Sequence, residues 1–171
     1  MAMASYGAYI LAILSLFSTV LARDYCVYTI FVKTGYMPQA GTDSHISAEF
    51  FDAAGNTYKI SNITEWGGSL MASNHDCFER NNLDLFTGIG ECLDSPICGL
   101  HLTSDGSGDH HGWYCDYLEV TSACSMEHVP CSTHRFTVQQ WLANDVYPYQ
   151  LVAHRDDCPH MKHSSSRKTW A

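Results

Sequence analysis

Eight cysteines, all downstream of one charge-free apolar run, constrain this chain more than any other feature. The run, Ala8 to Leu21, reads AYILAILSLFSTVL, and the first charge after it is Arg23. As a helix it would measure roughly 21 Å at about 1.5 Å per residue, short of a hydrocarbon core about 30 Å thick. Val20 and Ala22 offer the small-residue pattern of a signal-peptidase cut before Arg23. Residues 1–22 are therefore read as a cleaved signal peptide, although the N-region carries no Lys or Arg.

Cys26, Cys77, Cys92, Cys98, Cys115, Cys124, Cys131 and Cys158 all follow that cut. An even number behind a leader reads as disulfides formed in the secretory pathway, and the absence of a CxxC spacing argues against structural zinc. Four disulfides are expected. Cys92–Cys98 is the tightest spacing, with Gly90, Asp94 and Pro96 marking a turn, and Cys26–Cys158 would staple the two ends. Asn62-Ile63-Thr64 is an N-glycosylation acceptor triplet, in keeping with the same compartment.

Charge narrows the choice of partner. Eighteen Asp and Glu stand against nine Lys and Arg, and four of the nine (Arg23, Lys162, Arg167, Lys168) lie at the edges. Such an acidic body repels phosphate backbones, which excludes nucleic acid as a partner and disfavours unassisted attraction to anionic membranes. Residues 160–171, ending HSSSRKTWA, read as a basic flexible tail.

Between leader and tail the pattern is one of short runs with period two, separated by polar and glycine-rich turns. Strands are expected over Tyr25–Lys33, Ser44–Phe51, Thr57–Ile63, Cys77–Phe86, Cys98–Thr103, Trp113–Val120, His134–Trp141 and Tyr149–His154. The Gly67-Gly68 segment reads as a loop, and no amphipathic helix longer than a turn at Gln139–Asn144 is expected. Seven or eight strands so spaced make an antiparallel sandwich or barrel.

No dinucleotide or phosphate-binding glycine fingerprint, HExxH or GxSxG is present. Asp109-His110-His111, with Ser104 or Ser107 nearby, is the one cluster that invites catalysis or metal binding. Adjacent histidines on an extended chain point apart, so solvated loop histidines are the expectation. A second cluster is oxygen-rich: Thr42, Asp43, Asp52, Asn56 and Asp105 lie on turns, and calcium takes six to eight oxygens from such loops.

The segments CVYTIFVKTG at 26–35, AGTDSHISAEFFDAAGN at 40–56, FERNNLDLFTG at 78–88, CLDSPICGLHLTSDGSGDHHGWYCDYLEV at 92–120 and FTVQQWLANDVYPYQLVAHRDDC at 136–158 together resemble the PLAT (lipoxygenase-homology) domain. More closely, they resemble the small secreted plant proteins that are little more than that domain. FER with an aspartate further along, then a glycine loop leading into GW, then a strand ending in Trp-Leu, is the specific combination. The resemblance implies an eight-stranded antiparallel β-sandwich of two four-stranded sheets over 23–159, similar in outline to a C2 domain. It implies a domain that docks to a membrane lipid or protein partner rather than one that catalyses, sometimes with calcium at Thr42, Asp43, Asp52, Asn56 and Asp105. It further implies a monomeric plant protein of the endoplasmic reticulum or apoplast acting in abiotic stress. Phe78, Glu79, Arg80, Trp113 and Trp141 fall on family positions that read as structural. Cys77, Cys115 and Cys124 depart from the family pattern and suggest extra crosslinks.

Two further expectations concern individual side chains. Arg80 is expected in a buried or half-buried bridge to a carboxylate. Trp66, with Leu70 and Met71 beyond Gly67-Gly68, is expected either as a membrane or partner contact or as a loop folded over the sandwich edge. The alternatives to a lipid- or protein-binding module are a carbohydrate or cell-wall binding sandwich and a small secreted hydrolase. Aromatic platforms on a sheet face favour sugar, an apolar loop tip favours lipid, and a hydrogen-bonded Ser/His/Asp set favours the enzyme.

Overall fold

Period-two alternation becomes two sheets. The computed structural model describes residues 25–72, 74–124 and 131–159, without the side chains of Leu70 and Cys124. The leader 1–22 and the tail 160–171 lie outside the described residues. Eight strands follow in order: β1 (Tyr25–Thr34), β2 (Ile46–Asp52), β3 (Thr57–Ile60), β4 (Leu83–Glu91), β5 (Ile97–Ser104), β6 (Trp113–Cys124), β7 (Ser132–Leu142) and β8 (Val152–Asp156). One sheet runs β4-β1-β6-β7 and the other β3-β2-β5-β8, with every pairing antiparallel.

Inward positions carry the large apolar groups, because alternate side chains of a strand share one face. Tyr28, Ile30 and Val32 of β1 face Ile46, Ala48 and Phe50 of β2 across a core completed by Phe86, Leu100, Leu102, Trp113, Leu118, Val120 and Phe136. Trp113 is fully buried and its indole N–H donates to Thr34 Oγ1 at 3.0 Å, so the one polar atom of the ring is satisfied. Arg155 on β8 donates from Nε to the Thr137 carbonyl of β7 at 2.8 Å and ties the two sheets along one edge.

Three local expectations are corrected. Ile63–Gly67 is a short helix, α1, followed by a 3-10 turn at Gly68–Leu70, where a strand and a loop were expected. Asn62 explains it: its side-chain oxygen accepts the Thr64 and Glu65 N–H groups as an N-cap. The fourth strand begins at Leu83 rather than Cys77, and the residues before it form turns. β7 runs unbroken through Leu142, so no helical turn forms at its end. Among the described residues no helix is long and apolar enough to cross a membrane.

The cysteine pairing also differs. Cys26 bonds Cys92, and Cys98 bonds Cys158. Neither Cys92–Cys98 nor Cys26–Cys158 forms, because Cys98 lies on β5 of one sheet while Cys26 lies on β1 of the other. Cys77 and Cys115 are thiols, and Cys131 is unpaired among the described residues. Four disulfides are therefore not what the fold makes: Cys115 is sealed in the core, where burial holds its thiol well above the ordinary value.

Non-reducing peptide mapping should recover the linked pairs 26–92 and 98–158, and Cys115 should alkylate only after denaturation. Replacing Cys98 and Cys158 together by serine should cost about 2–4 kcal/mol in urea melts, as expected for opening a long loop. A 26–158 linkage in the map would refute this pairing.

Candidate functional site

The loops at one end of the sandwich are built on a buried carboxylate. Asp84, the second residue of β4, is fully buried, and its Oδ2 accepts the Phe78 N–H at 2.8 Å while Oδ1 stands 2.6 Å from His75 Nε2. That bond holds Phe78 at a φ of 62°, a left-handed conformation rare for an aromatic residue, and so turns its ring into the core. There the ring stacks on Phe86 at 5.5 Å and meets Trp113 edge-on at 5.3 Å. The Phe78 carbonyl accepts the Thr42 N–H, and the Ala40 carbonyl accepts the Tyr114 N–H. Gly41 lies so close to residues 79–80 that an added Cβ would sit 3.0 Å from the Arg80 nitrogen. The segments AGTD, FER, the later aspartate and GW thus form one packed knot.

Phe78 and Trp113 are accordingly structural, and Trp141 is half-buried with its ring edge-on to Tyr114 at 5.5 Å. Glu79 and Arg80 are exposed on the turn, which corrects the expected half-buried bridge at Arg80. Arg155 is instead the arginine that links β8 to β7, through the Thr137 carbonyl. Trp66 is half-buried with its ring lying over Gly88, and Met71 also packs against the core. Of the two alternatives for Trp66, the helix folded over the sandwich edge is the one adopted, and the expected membrane contact at Trp66 and Met71 is corrected. The Leu70 side chain lies outside the described residues.

The five oxygen-bearing residues do not converge. Thr42, Asp43 and Asp105 lie beside the start of β2, where Ile46 pairs Ser104. Asp52 ends that strand, about 20 Å away at roughly 3.3 Å per residue. There its Oδ1 accepts the Ala54 and Asn56 N–H groups and its Oδ2 accepts Asn56 Nδ2, each at 2.9 Å. The expected calcium set is therefore split between opposite ends, and the five residues do not fit one ion. The remaining three are engaged as loop staples. Asp43 Oδ2 accepts the His110 N–H at 3.1 Å and stands 3.1 Å from His110 Nδ1. Asp105 Oδ1 accepts from the Ser107 N–H, the Ser107 hydroxyl and the His45 N–H, which together hold its carboxyl below the ordinary value. Thr42 Oγ1 donates to the His110 carbonyl at 2.7 Å.

The tempting serines and histidines do not pair either. His110 faces Asp43, His111 lies 3.5 Å from Asp145, and the Ser107 hydroxyl donates to Asp105. Ser104 Oγ accepts the Gly106 N–H. No serine hydroxyl meets a histidine ring nitrogen in this loop, so the geometry holds no nucleophile and base in contact.

Two features escaped the sequence reading. The first is an aromatic rim at the same end: Tyr36 follows β1, and Tyr147 and Tyr149 lie between β7 and β8. They are 81%, 78% and 63% exposed, beside the exposed Val146. The second is His75, Cys77 and Asp84, whose ligand atoms lie within 4.8 Å of one another. Burial pushes the Cys77 thiol up to about 11, helped by the Asp84 charge and partly offset by a hydrogen bond with Thr64. Only the three-residue reach from His75 to Cys77, seven residues before Asp84, hinted at it. The second group was hidden by the expected strand over 77–86, which covers Cys77 and Asp84.

Asn62 lies at the mouth of the cleft beside these residues, its Nδ2 3.1 Å from His45 Nδ1. A glycan on that nitrogen would displace His45 while leaving the capping oxygen free.

Comparison with known proteins agrees with this architecture. The profile of the Embryo-specific protein 3 (ATS3) family matches residues 14–153. PLAT domain-containing protein 1 of Arabidopsis thaliana is 53% identical over 134 residues, 78% of this chain and 72% of its own. PLAT domain-containing protein 2 of the same plant is 51% identical over 152 residues, covering 88% and 81%. Among solved structures, a calcium-dependent 11R-lipoxygenase superposes with a TM-score of 0.51 at 20% identity, over 76% of this chain and 17% of that one. The fold is thus that of the lipoxygenase-homology sandwich. The chain belongs to the PLAT domain family.

Asp52 offers a test of the loop geometry. Burial alone would raise its carboxyl, but the hydrogen bonds from Asn56 and Ala54 outweigh that and hold it below the ordinary 3.8. A depressed folded value means stability that is present above the unfolded value and lost as pH falls through the folded one. Asp52→Asn should therefore cost about 1–3 kcal/mol at neutral pH. In urea melts that gap should narrow as pH falls below the ordinary 3.8 and through the lower folded value, where the wild-type carboxylate is itself protonated. A pH-independent gap would show that the charge is not what holds the turn.

Proposed function

We propose that this chain is a non-catalytic binding module of the secretory pathway that docks on a membrane lipid surface through the loop end of the sandwich. The observation that carries the reading is the rim of Tyr36, Tyr147 and Tyr149, with Val146 beside them. Three exposed phenol rings on two loops make a tip with an apolar body and a polar edge, the form suited to a membrane interface. They sit on loop tips rather than on a sheet face, which favours lipid over a sugar platform. Burying roughly 100 Å² of ring surface would contribute about 2.5 kcal/mol, enough to matter for a weak, reversible contact.

Charge sets the lipid class. The cleft at Val146 is lined by Asp109 and Asp145, with Asp43 against its His110, so a zwitterionic surface suits the rim better than an anionic one. Calcium enters only as neutralisation of these carboxylates, which would relieve repulsion from anionic headgroups without a closed coordination cage. The two disulfides and the apolar leader support the endoplasmic reticulum or apoplast as the setting. A role in plant abiotic stress, as a monomer, rests on the resemblance to the small plant members of the family.

Liposome flotation tests the proposal. The protein should float with phosphatidylcholine vesicles, and the double variant Tyr147→Ser/Tyr149→Ser should lose about tenfold or more of the bound fraction. Binding to vesicles containing phosphatidylserine should be weaker and should rise with millimolar calcium. Asp43→Asn should reduce that rise, whereas Asp52→Asn at the far end should leave it unchanged. Absence of flotation on every vesicle would overturn the lipid reading and leave a protein partner.

A further inference from the structure

The turn that leads into β4 brings together three side chains of different ligand chemistry. His75 offers an imidazole about a third exposed (32%), Cys77 a half-buried thiol, and Asp84 a fully buried carboxylate. Their ligand atoms lie within 4.8 Å of one another, the one such grouping of three among the described residues. We propose that His75, Cys77 and Asp84 bind a divalent metal ion of the zinc class, with its remaining position open to the neighbouring cleft.

Nitrogen, sulfur and a single carboxylate oxygen match the tetrahedral preference of zinc, and the sulfur and imidazole disfavour calcium or magnesium. Around such an ion, with bonds of about 2.0–2.3 Å, ligand atoms stand roughly 3–4 Å apart. The His75–Asp84 contact of 2.6 Å would open slightly and the longest separation would close slightly. Side-chain rotation supplies both movements, because His75 and Cys77 lie in a turn rather than in a strand.

The surroundings are arranged as a metal site needs. The Phe78 N–H occupies Asp84 Oδ2, fixing the carboxylate and leaving Oδ1 toward His75 and the thiol. The cleft beside the cluster, about 320 Å³, is lined by Asp43, Glu65 and Asp76 as well as His75 and Cys77. Those carboxylates make it attractive to cations and give solvent a path to the open position. A cation would also remove what now keeps the thiol protonated, namely burial without countercharge and the facing Asp84.

Cobalt(II) titration of the disulfide-bonded protein tests the site, because cobalt substitutes for zinc and reports its ligands by absorption. The expected result is a thiolate-to-cobalt charge-transfer band that saturates at one ion per chain and is abolished by zinc. Cys77→Ser should remove the band, and His75→Gln should weaken affinity by about tenfold or more. Cys131→Ser, which removes the exposed thiol, should leave the band unchanged. Asp84→Asn is expected to disturb the turn itself, so the decisive variants are those at 75 and 77, with unchanged circular dichroism confirming that each is folded. No thiolate band, a band that survives Cys77→Ser, or one that vanishes with Cys131→Ser would each overturn the proposal and leave His75–Asp84 as an ion pair.

Discussion

A buried carboxylate governs one end of this molecule. Placing Asp84 in the core would cost several kcal/mol without partners, and the partners it has are the Phe78 N–H and His75. That need for donors is what bends residues 75–82 back over the sandwich and turns Phe78 inward. With Phe78 seated between Phe86 and Trp113, its carbonyl anchors the loop from β1 to β2 through Thr42. The loop from β5 to β6 is then held in turn, because His110 meets both Thr42 and Asp43. Three loops therefore take their positions from a single charge in an apolar surround.

The two ends of the sandwich consequently differ in kind. The end near Asp52 is closed by the local turn whose N–H groups Asp52 accepts and by the Cys26–Cys92 bond. The opposite end carries the exposed tyrosines, the acidic loops and the cleft beside His75 and Cys77. Antiparallel pairing forces this separation, since both ends of β2 cannot face the same solvent. Gly108, at a φ of +84°, shows how tight the functional end is: an added Cβ there would meet Asp43 Cβ at 2.7 Å.

Alternation made the sandwich legible, because inward residues such as Ile46, Ala48 and Phe50 repeat at the strand period. The family segments were legible for a related reason: each supplies a contact that only one residue type fits, Gly41 against residues 79–80 or Trp113 against Phe78. The disulfide partners were not, since spacing says nothing about which sheet a strand joins. Nor was the split of the oxygen-bearing residues, which depends on direction along β2 rather than on residue type. Residues 77–82 read as strand because they run without glycine or proline into the alternation of Leu83, Asp84 and Leu85. The competing term was the hydrogen bond from Phe78 to Asp84, a contact six residues apart that no periodicity records.

That misread segment is also where the chain has most freedom to acquire function. Phe78 and Asp84 are fixed by the core, so the backbone between 75 and 82 is held wherever its outward side chains point. His75 flanks this fixed frame, and Cys77 packs half-buried against its edge rather than inside the central cluster. Substituting Cys77 should therefore leave the sandwich intact, and His75→Gln keeps a donor for Asp84, whereas substituting Asp84 would release Phe78 and the loops it anchors. A scaffold set by one buried charge thus leaves adjacent positions open to ligating side chains, and places them at the edge of a cleft already lined with carboxylates. The same logic holds for the tyrosine rim, carried by loops whose bases are fixed by Trp113, Tyr114 and Leu142 while their tips stay in solvent.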